Sequence, residues 1–530
     1  MRFLLLLLVL MPGLSAEDQG GTAAPAVFVA VPTPRIHGPS SVGVRPGTPL
    51  VHRIPATGTP PLSWSAQGLP PGVTLDAATG ILSGTLAQAG TWPIAITVSN
   101  ALGQATRTVA FIAGDGLALT PPMGWNSYDA FGDGIDEAQF RANLARFATD
   151  LAPVGYDTVV IDFRWYDRLA KARTPVRQKA KERANERDAQ GRLVPAPNRF
   201  PSSAGGAGFK PLADEVHRQG LKFGIHIMRG MPRETAEARL PIPGSTFTTD
   251  QAALPQRTCS WCVDMVGVDG TSEAGKAWYR SLAAQYAAWG VDFIKADDMA
   301  NPYHADEIEA LSSALATCGR SIVLSLSPGE TPLAQARHVA DHAHLWRLSG
   351  DFWDKWRDLR HGLDLFTRWS ASGVAGPGHW PDGDMLPVGR LSLGGSPVEK
   401  ERDSRFTREE QRTLLSVWAL MPAPLMVGAS LETLDPWTTS LLTNPAVLDL
   451  NQDALARPAT RAADLAGGVH LWQRDLAGGA RAIALVNPTD TPVTVTPPEG
   501  AWTGVWEGRA LPPGPVTLPV HGTLLLRGPR

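Results

Sequence analysis

The segment VDFIKAD at residues 291–297 is a short apolar run that ends in two charged residues, Lys295 and Asp297. A charge at the end of an apolar strand is costly unless it has a partner. The period of two along a strand places Lys295 and Asp297 on one face, and Ala296 and Asp298 on the other. The segment therefore predicts a buried strand that delivers an ammonium and a carboxylate to one site.

Similar apolar segments recur between about residues 117 and 455. The predicted strands include TVVID at 158–162, LKFGIHI at 221–227 and SIVLSL at 321–326, with others near 345–347, before Gly376 and at 424–427. Helical patterns separate them. Nearly all-apolar strands that alternate with helices predict a parallel sheet covered on both faces. A doubly wound sheet is the alternative, but no Gly-rich phosphate turn follows the first strand. The predicted fold class is therefore α/β, with a (β/α)8 TIM barrel at residues 117–455.

Polar or aromatic side chains stand where the predicted strands end, and in such a barrel these ends face one pocket. The candidates are Trp125, Asp162, His226, Lys295, Asp297, Ser327, Arg347, Asp351, Asp382 and Asp384. As a set they predict a carboxylate-rich pocket that also holds two cations.

Two of these carboxylates suit catalysis. Lys295 favours the charged form of Asp297 and so lowers its pKa, as a nucleophile requires. Asp351 follows a later strand, and two carboxyl groups around one pocket can cleave an acetal by acid–base and nucleophilic chemistry. The sequence contains no HExxH spacing and no GxSxG elbow. We therefore predict no metal site and no serine nucleophile.

Further segments surround the predicted barrel. Residues 17–35 are rich in Gly, Ala and Pro and predict a linker. Residues 36–114 carry short strand-like runs separated by turns and predict an N-terminal immunoglobulin-like β-sandwich. Residues 456–530 carry the same kind of pattern. They predict a compact C-terminal antiparallel β domain, a β-sandwich.

The first residues predict export. Arg2 is followed by an apolar run at residues 4–11 and by small residues at 15–16. This pattern is typical of a signal peptide, here residues 1–16, and the run is too short for a permanent membrane span. We therefore expect a secreted or periplasmic protein with no membrane insertion after cleavage.

The chain contains three cysteines, Cys259, Cys262 and Cys318. The CSWC segment at 259–262 could be a redox motif, half of a zinc site or a local disulfide. Neither a thioredoxin-like context nor a second ligand pair is visible. In an exported protein we therefore predict a structural Cys259–Cys262 disulfide.

Composition excludes some partners. The 530 residues include 48 Lys and Arg against 51 Asp and Glu, a formal net charge of −3. The Lys and Arg residues do not form clustered runs, which argues against nucleic acid or an anionic membrane as the main partner. The 17 Trp residues supply flat apolar faces that suit a ligand with apolar ring faces. None of these features predicts the oligomeric state.

Several short motifs together resemble glycoside hydrolase family 27, the α-galactosidases. MGWN at 123–126, VID at 160–162, GLKFG at 220–224, KAD at 295–297, RLSGD at 347–351 and GPGHWPDGDML at 376–386 occur in the family's order. The segment at 444–453 resembles the family signature at the end of the barrel. Residues 69–84 resemble an immunoglobulin-like module found beside many exported bacterial enzymes.

This resemblance implies a retaining α-glycosidase with Asp297 as nucleophile and Asp351 as general acid/base. The residues that would hold the terminal sugar are Trp125, Asp162, His226, Lys295, Ser327, Arg347 and Asp384. For a retaining enzyme the two catalytic carboxyl groups should lie about 5–5.5 Å apart.

The sequence departs from the family pattern at three places. Phe163 stands where a second aspartate usually grips a galactose hydroxyl. His226 and Met228 replace a usual Tyr-x-Asp. Ser327 stands where α-galactosidases commonly carry Glu and α-N-acetylgalactosaminidases carry Ser. A changed hydrogen-bond partner alters sugar discrimination more than the acetal chemistry.

We therefore predict an exported α-galactosidase that acts on an oligosaccharide or polysaccharide and needs no cofactor. The alternatives within the family are α-N-acetylgalactosaminidase, isomaltodextranase and β-L-arabinopyranosidase. A non-catalytic carbohydrate-binding protein, and a redox or metal protein that uses Cys259 and Cys262, are alternatives from other classes.

Overall fold

The structure is a computed structural model that describes residues 31–171, 184–394 and 400–529. The predicted signal peptide, residues 1–16, and residues 17–30 of the predicted linker lie outside the described residues. Within these ranges, no helix has both the length and the hydropathy needed to cross a bilayer.

The N-terminal module is a β-sandwich. Its strands are β1 (Arg35–Ile36), β2 (Ser41–Val44), β3 (Pro49–Arg53), β4 (Ala56–Thr57), β5 (Ser63–Gln67), β6 (Val73–Leu75), β7 (Ile81–Thr85), β8 (Gly90–Asn100) and β9 (Gly103–Ala113). One sheet has the order β2-β9-β8-β5 and the other β3-β7-β6. Alternate residues of β8 (Ile94, Ile96 and Val98) are fully buried in a core separate from that of the barrel. This module confirms the predicted sandwich.

The central module contains the strands of the predicted barrel and two small accessory sheets. Its strands are β10 (Met123–Asn126), β11 (Thr158–Ile161), β12 (Lys222–Met228), β13 (Met231–Pro232), β14 (Ala253–Thr258), β15 (Met265–Val268), β16 (Phe293–Asp297), β17 (Val323–Leu326), β18 (Leu345–Arg347), β19 (Trp380–Asp382), β20 (Arg390–Leu391), β21 (Arg402–Asp403) and β22 (Leu425–Val427).

Eight of these strands form one parallel sheet in the order β19-β18-β17-β16-β12-β11-β10-β22. A parallel bridge between Leu386 and Val427 links its two ends. The sheet is therefore closed, which confirms the predicted (β/α)8 barrel.

The seventh strand lies at Trp380–Asp382, after Gly376. The prediction that placed it before Gly376 is wrong, because residues 376–379 form a tight turn. The backbone amides of Gly376 and His379 each donate to the carbonyl of the other, over 3.0 and 2.8 Å. Gly378 adopts φ 84° there, a conformation that glycine adopts readily.

Helices surround the barrel strands and lie in their connecting segments. They are α1 (Tyr128–Phe131), α2 (Glu137–Arg146), α3 (Lys210–His217), α4 (Arg233–Ala238), α5 (Thr249–Ala252), α6 (Glu273–Trp289), α7 (Ala305–Ala316), α8 (Ala336–His342), α9 (Trp356–Ser370), α10 (Arg408–Leu420), α11 (Pro436–Leu442) and α12 (Pro445–Asn451). Side-chain caps fix several helix starts; the Asp136 carboxylate, for example, accepts from Gln139 N in a capping box before α2.

Strand alternation separates an inner from an outer core. Val160, Phe293 and Leu345 pack in the smaller cluster, whereas Ile161 and Ile294, one residue further along β11 and β16, pack with the helices. The inner cluster fills the barrel below the strand ends, so the site lies at those ends.

The C-terminal module is an antiparallel β domain with strands β23 (Thr460–Asp464), β24 (His470–Asp475), β25 (Ala480–Val486), β26 (Val493–Val495), β27 (Thr503–Gly504), β28 (Val516–Leu518) and β29 (Thr523–Pro529). Its buried Arg474 donates from Nη1 to the barrel carbonyls of Ala419 and Leu450, over 2.9 and 2.8 Å. The indole N–H of Trp506 donates to Ser416 Oγ over 2.8 Å. These contacts hold the module against α10 and α12.

Asn451→Ala should destabilise the barrel by about 1–3 kcal/mol, because a buried polar group loses its partner. Asn451 is fully buried, and its amide nitrogen donates to Ala423 O over 2.8 Å. We expect a lower thermal midpoint of unfolding. Asn198→Ala is the control, since the exposed Asn198 also donates to a carbonyl, that of Arg168. Equal midpoints for the two variants would contradict the prediction.

Candidate active site

The carboxyl ends of the barrel strands open into a cavity of about 370 Å³. Parallel strands bring their carboxyl ends to one edge, which explains why residues far apart in sequence meet here. The charged residues that line it are Asp129, Asp162, Lys295, Asp297, Asp351 and Asp384. Aromatic side chains complete its wall: Tyr128, Phe163, Trp261, Phe352 and Trp353.

Asp297 ends β16 and is held by a histidine and a backbone amide. His226 Nε2 lies 3.1 Å from Asp297 Oδ2, and Asp298 N donates to Oδ1 over 2.9 Å. Burial by itself would raise the pKa of Asp297, but the hydrogen bond and charge of His226 and the charge of Lys295 outweigh it and lower the pKa. Asp297 is therefore a carboxylate at neutral pH.

Lys295 joins Asp297 to a second buried carboxylate. Its Nζ donates to Asp162 Oδ2 over 2.9 Å, and Asn126 Nδ2 donates to the same oxygen over 2.6 Å. Burial opposes ionisation of Asp162, yet Lys295 and His226 lower its pKa to about 2. The nearby charges of Asp162, Asp297 and Asp384 in turn outweigh burial and raise the pKa of Lys295. The single ammonium group of Lys295 thus interacts electrostatically with several carboxyl groups.

Arg347 organises the other side of the cavity. Its Nη2 lies 2.6 Å from Asp384 Oδ2 and 3.4 Å from Asp351 Oδ1. Phe352 N also donates to Asp384 Oδ2, over 2.8 Å. Burial nevertheless raises the pKa of Asp384 to about 6, because Arg347 offsets only part of the desolvation. The Asp351 side chain is 73% exposed, so it can exchange a proton with water.

Asp382, the fourth carboxylate predicted at a strand end, lies outside the cavity lining. It is buried, and its Oδ1 accepts from Asp384 N over 2.8 Å. It shapes the turn that presents Asp384.

Trp125 does not reach the cavity, so its predicted place among the residues that hold the sugar is wrong. It is fully buried, its indole N–H donates to Ala429 O over 2.8 Å, and it packs against Phe131 and Phe140. Adjacent strand residues face opposite sides. Asn126 therefore points to the site, whereas Trp125 points to the helices.

His226, Ser327 and Arg347 lie behind the cavity wall rather than in it. His226 and Arg347 contact lining carboxylates, as described above. Ser327 is buried directly before Pro328 and Gly329, which line the cavity, and its Oγ has no hydrogen-bond partner within the described residues.

The predicted Cys259–Cys262 disulfide is wrong, since both residues are buried thiols in the structure. The two sulfur atoms have other partners. Cys259 Sγ accepts from Cys262 N, and Cys262 Sγ donates to Asp264 Oδ1, each over 3.2 Å. Burial also raises the pKa of Cys259, which opposes formation of the reactive thiolate.

Sequence reasoning missed Asn126 and most of the aromatic wall. Asn126 adjoins the predicted Trp125, and the period of two could have identified it. Trp261 lies between the two cysteines, in the excursion that joins β14 to β15. No strand-end rule predicts that this loop folds over the barrel.

Comparison with known proteins agrees with this architecture. The family model for Alpha galactosidase A matches residues 120–278 and 274–453. An Ig domain family matches residues 32–113, and the alpha galactosidase C-terminal beta sandwich domain matches residues 466–527.

The individual relatives are named for different glycosidase activities. An α-galactosidase of Oryza sativa is 31% identical over 72% of this chain and 75% of its own. An α-N-acetylgalactosaminidase of Gallus gallus is 29% identical over 72% of this chain and 82% of its own. The solved β-L-arabinopyranosidase of Geobacillus stearothermophilus is 37% identical, with a TM-score of 0.73 over 78% of this chain and 97% of its own.

The barrel with its strand-end carboxylates, the extent of the family match and these relatives lead to one conclusion: the chain belongs to the α-galactosidase family, glycoside hydrolase family 27, and is a glycoside hydrolase.

Proposed function

We propose that this glycoside hydrolase is an exported retaining α-galactosidase that removes terminal α-galactosyl residues from oligosaccharides or polysaccharides. The observation that carries the proposal is that Asp297 and Asp351, from two different strand ends, line the same cavity. Two carboxyl groups that flank one anomeric carbon are what double displacement requires.

The two carboxyl groups differ as their proposed roles demand. Asp297 is partly buried and ionised, and His226 fixes the direction of its carboxylate. It attacks the anomeric carbon and forms a glycosyl ester. Asp351 is exposed to water at the cavity mouth. It protonates the leaving oxygen, and then removes a proton from the water that hydrolyses the ester.

The paired carboxylates hold the sugar in this proposal. Asp162 and Asp384 line the cavity, and their cations keep them oriented as hydrogen-bond acceptors for sugar hydroxyls. The aromatic wall supplies apolar surface for the ring face.

The proposal that the protein is exported is based on its N-terminal residues. The apolar run at 4–11, after Arg2 and before the small residues at 15–16, supports cleavage and release into the periplasm or the medium.

One observation favours a second substrate, a β-L-arabinopyranoside. Phe163 lines the cavity and packs edge-on against His226 and Trp261, with ring centroids 5.1 and 5.6 Å apart. This apolar surface cannot pair with a hydroxyl. β-L-Arabinopyranose has the ring hydroxyls of α-D-galactopyranose without the hydroxymethyl group, so it leaves no polar group unpaired there.

Asp297→Asn should abolish turnover of aryl α-galactosides and aryl β-L-arabinopyranosides, because the ester cannot form. Asp351→Asn should lower kcat about 10²–10⁴-fold for poor leaving groups, and less for a dinitrophenyl group that needs no proton. Steady-state kinetics measure both effects. Asp214→Asn, on an exposed carboxylate that pairs with Lys210, is the control. Turnover by folded Asp297→Asn would refute its assignment as nucleophile.

Lys295→Met should move the acidic limb of the kcat/KM profile to higher pH. The Lys295 charge lowers the pKa of Asp297, so its removal raises that pKa, and a higher pH is then needed to ionise the nucleophile. Lys276→Met is the control, because Lys276 pairs with the exposed Glu273 away from the cavity. An unshifted limb would show that Lys295 does not tune the nucleophile.

Phe163→Asp should change the sugar preference. An added carboxylate can accept from the galactose hydroxymethyl group, so the galactoside-to-arabinopyranoside ratio of kcat/KM should rise at least about tenfold. Phe163→Leu keeps the wall apolar and should leave the ratio near that of the wild type. A ratio unchanged in Phe163→Asp would place the hydroxymethyl group elsewhere.

A further inference from the structure

Three side chains outside the cavity form a compact group on the outer wall of the barrel. Glu309 projects from α7, and His338 and His342 stand one turn apart on α8. One potential ligand atom from each lies within 4.8 Å of the other two. None of the three lines the catalytic cavity.

The distances suit a single small cation. His338 Nε2 lies 3.0 Å from Glu309 Oε1, and the two imidazole rings are 4.6 Å apart between centroids. Ligand atoms around a tetrahedral cation with bonds of about 2.0–2.1 Å lie about 3.3–3.5 Å from one another. Small side-chain rotations therefore bring all three donors to bonding distance.

A fourth residue orients one of the ligands. The Tyr303 hydroxyl lies 2.6 Å from His338 Nδ1, on the side of the ring away from Glu309. When Nδ1 carries the proton and donates to the phenol oxygen, Nε2 presents its lone pair to a cation. A hydrogen bond of this kind is the usual support of a metal-binding histidine.

We propose that Glu309, His338 and His342 form a binding site for a divalent transition metal such as Zn²⁺. Two imidazoles and one carboxylate favour zinc and its neighbours over Mg²⁺ or Ca²⁺, which prefer oxygen ligands alone. Three protein ligands leave a fourth tetrahedral position for water.

The metal would tie together the two helices on either side of β17 in the chain. Through Tyr303 it would also reach the segment that follows Asp297, whose Met299 and Ala300 amides donate to Ser327 O. The prediction of no metal site was based on the HExxH spacing within one helix. It could not detect a set whose carboxylate comes from a different helix.

The test titrates the metal-free full-length protein with ZnCl₂ by calorimetry, and with Co²⁺ by visible absorption. We expect one ion per chain in the wild type. The double variant His338→Ala/His342→Ala keeps a single ligand, so its affinity should fall at least about 100-fold and the Co²⁺ bands should vanish.

His361→Ala is the matched control. His361 Nε2 contacts Glu330 Oε1 over 2.7 Å, a His–Glu pair outside the proposed ligand set, and its loss should leave Zn²⁺ binding unchanged. No binding by the wild type, full affinity in the double variant, or loss of affinity in His361→Ala would each overturn the proposal.

Tyr303→Phe tests the positioning role. It keeps every ligand, so we expect a 10–100-fold lower Zn²⁺ affinity and shifted Co²⁺ bands. Wild-type affinity and an unchanged spectrum in this variant would overturn the role of Tyr303.

Discussion

The site depends on one ammonium group placed among buried carboxylates. Asp162, Asp297 and Asp384 lose solvation there, which by itself raises their pKa values and favours the neutral form. Lys295 and His226 together reverse this effect for Asp162 and Asp297, so both stay ionised. The carboxylates stabilise the charge of Lys295 in return. Strands β11 and β16 hold these groups in register, because both belong to the same closed sheet.

The cavity has two electrostatically different halves. Around Lys295 the contact with Asp162 is short, 2.9 Å, and the pKa values of Asp162 and Asp297 are lowered. Around Arg347 the positive charge offsets less of the desolvation, since the pKa of Asp384 is raised to about 6. Asp351, on the same side, extends into solvent. This asymmetry matches the proposed division between a fixed nucleophile and a residue that must gain and lose a proton.

Selectivity has a different structural origin from catalysis. Asp162, Lys295 and Asp297 sit at strand ends, whereas Trp261 and Trp353 reach the cavity from connecting segments. Loops tolerate change better than strands do. The same barrel chemistry can therefore serve different sugars when the segments that carry Trp261 and Trp353 change. The different sugars in the names of the relatives agree with this view.

Much of the protein could be predicted from the sequence, because local patterns determine it. Apolar runs that end in a charged residue predicted the strands of the barrel. The order of the short motifs identified the candidate site residues Asp162, Lys295, Asp297, Arg347, Asp351 and Asp384. The structure brings these residues to one end of the barrel because a buried charge in an apolar strand has few acceptable environments. The period of two is also local, and it would have selected Asn126 over Trp125.

Tertiary structure alone decided the features that depend on contacts between distant segments. The strand after Gly376, the thiol state of Cys259 and Cys262, the aromatic wall and the Glu309–His338–His342 group all depend on how loops and helices pack around the barrel. The aromatic wall joins residues as far apart as Tyr128 and Trp353, and the Glu309–His338–His342 group joins two helices, so no short window of sequence contains these partners. The chain alone thus determined which chemical groups meet, whereas the packing determined which way each of them faces.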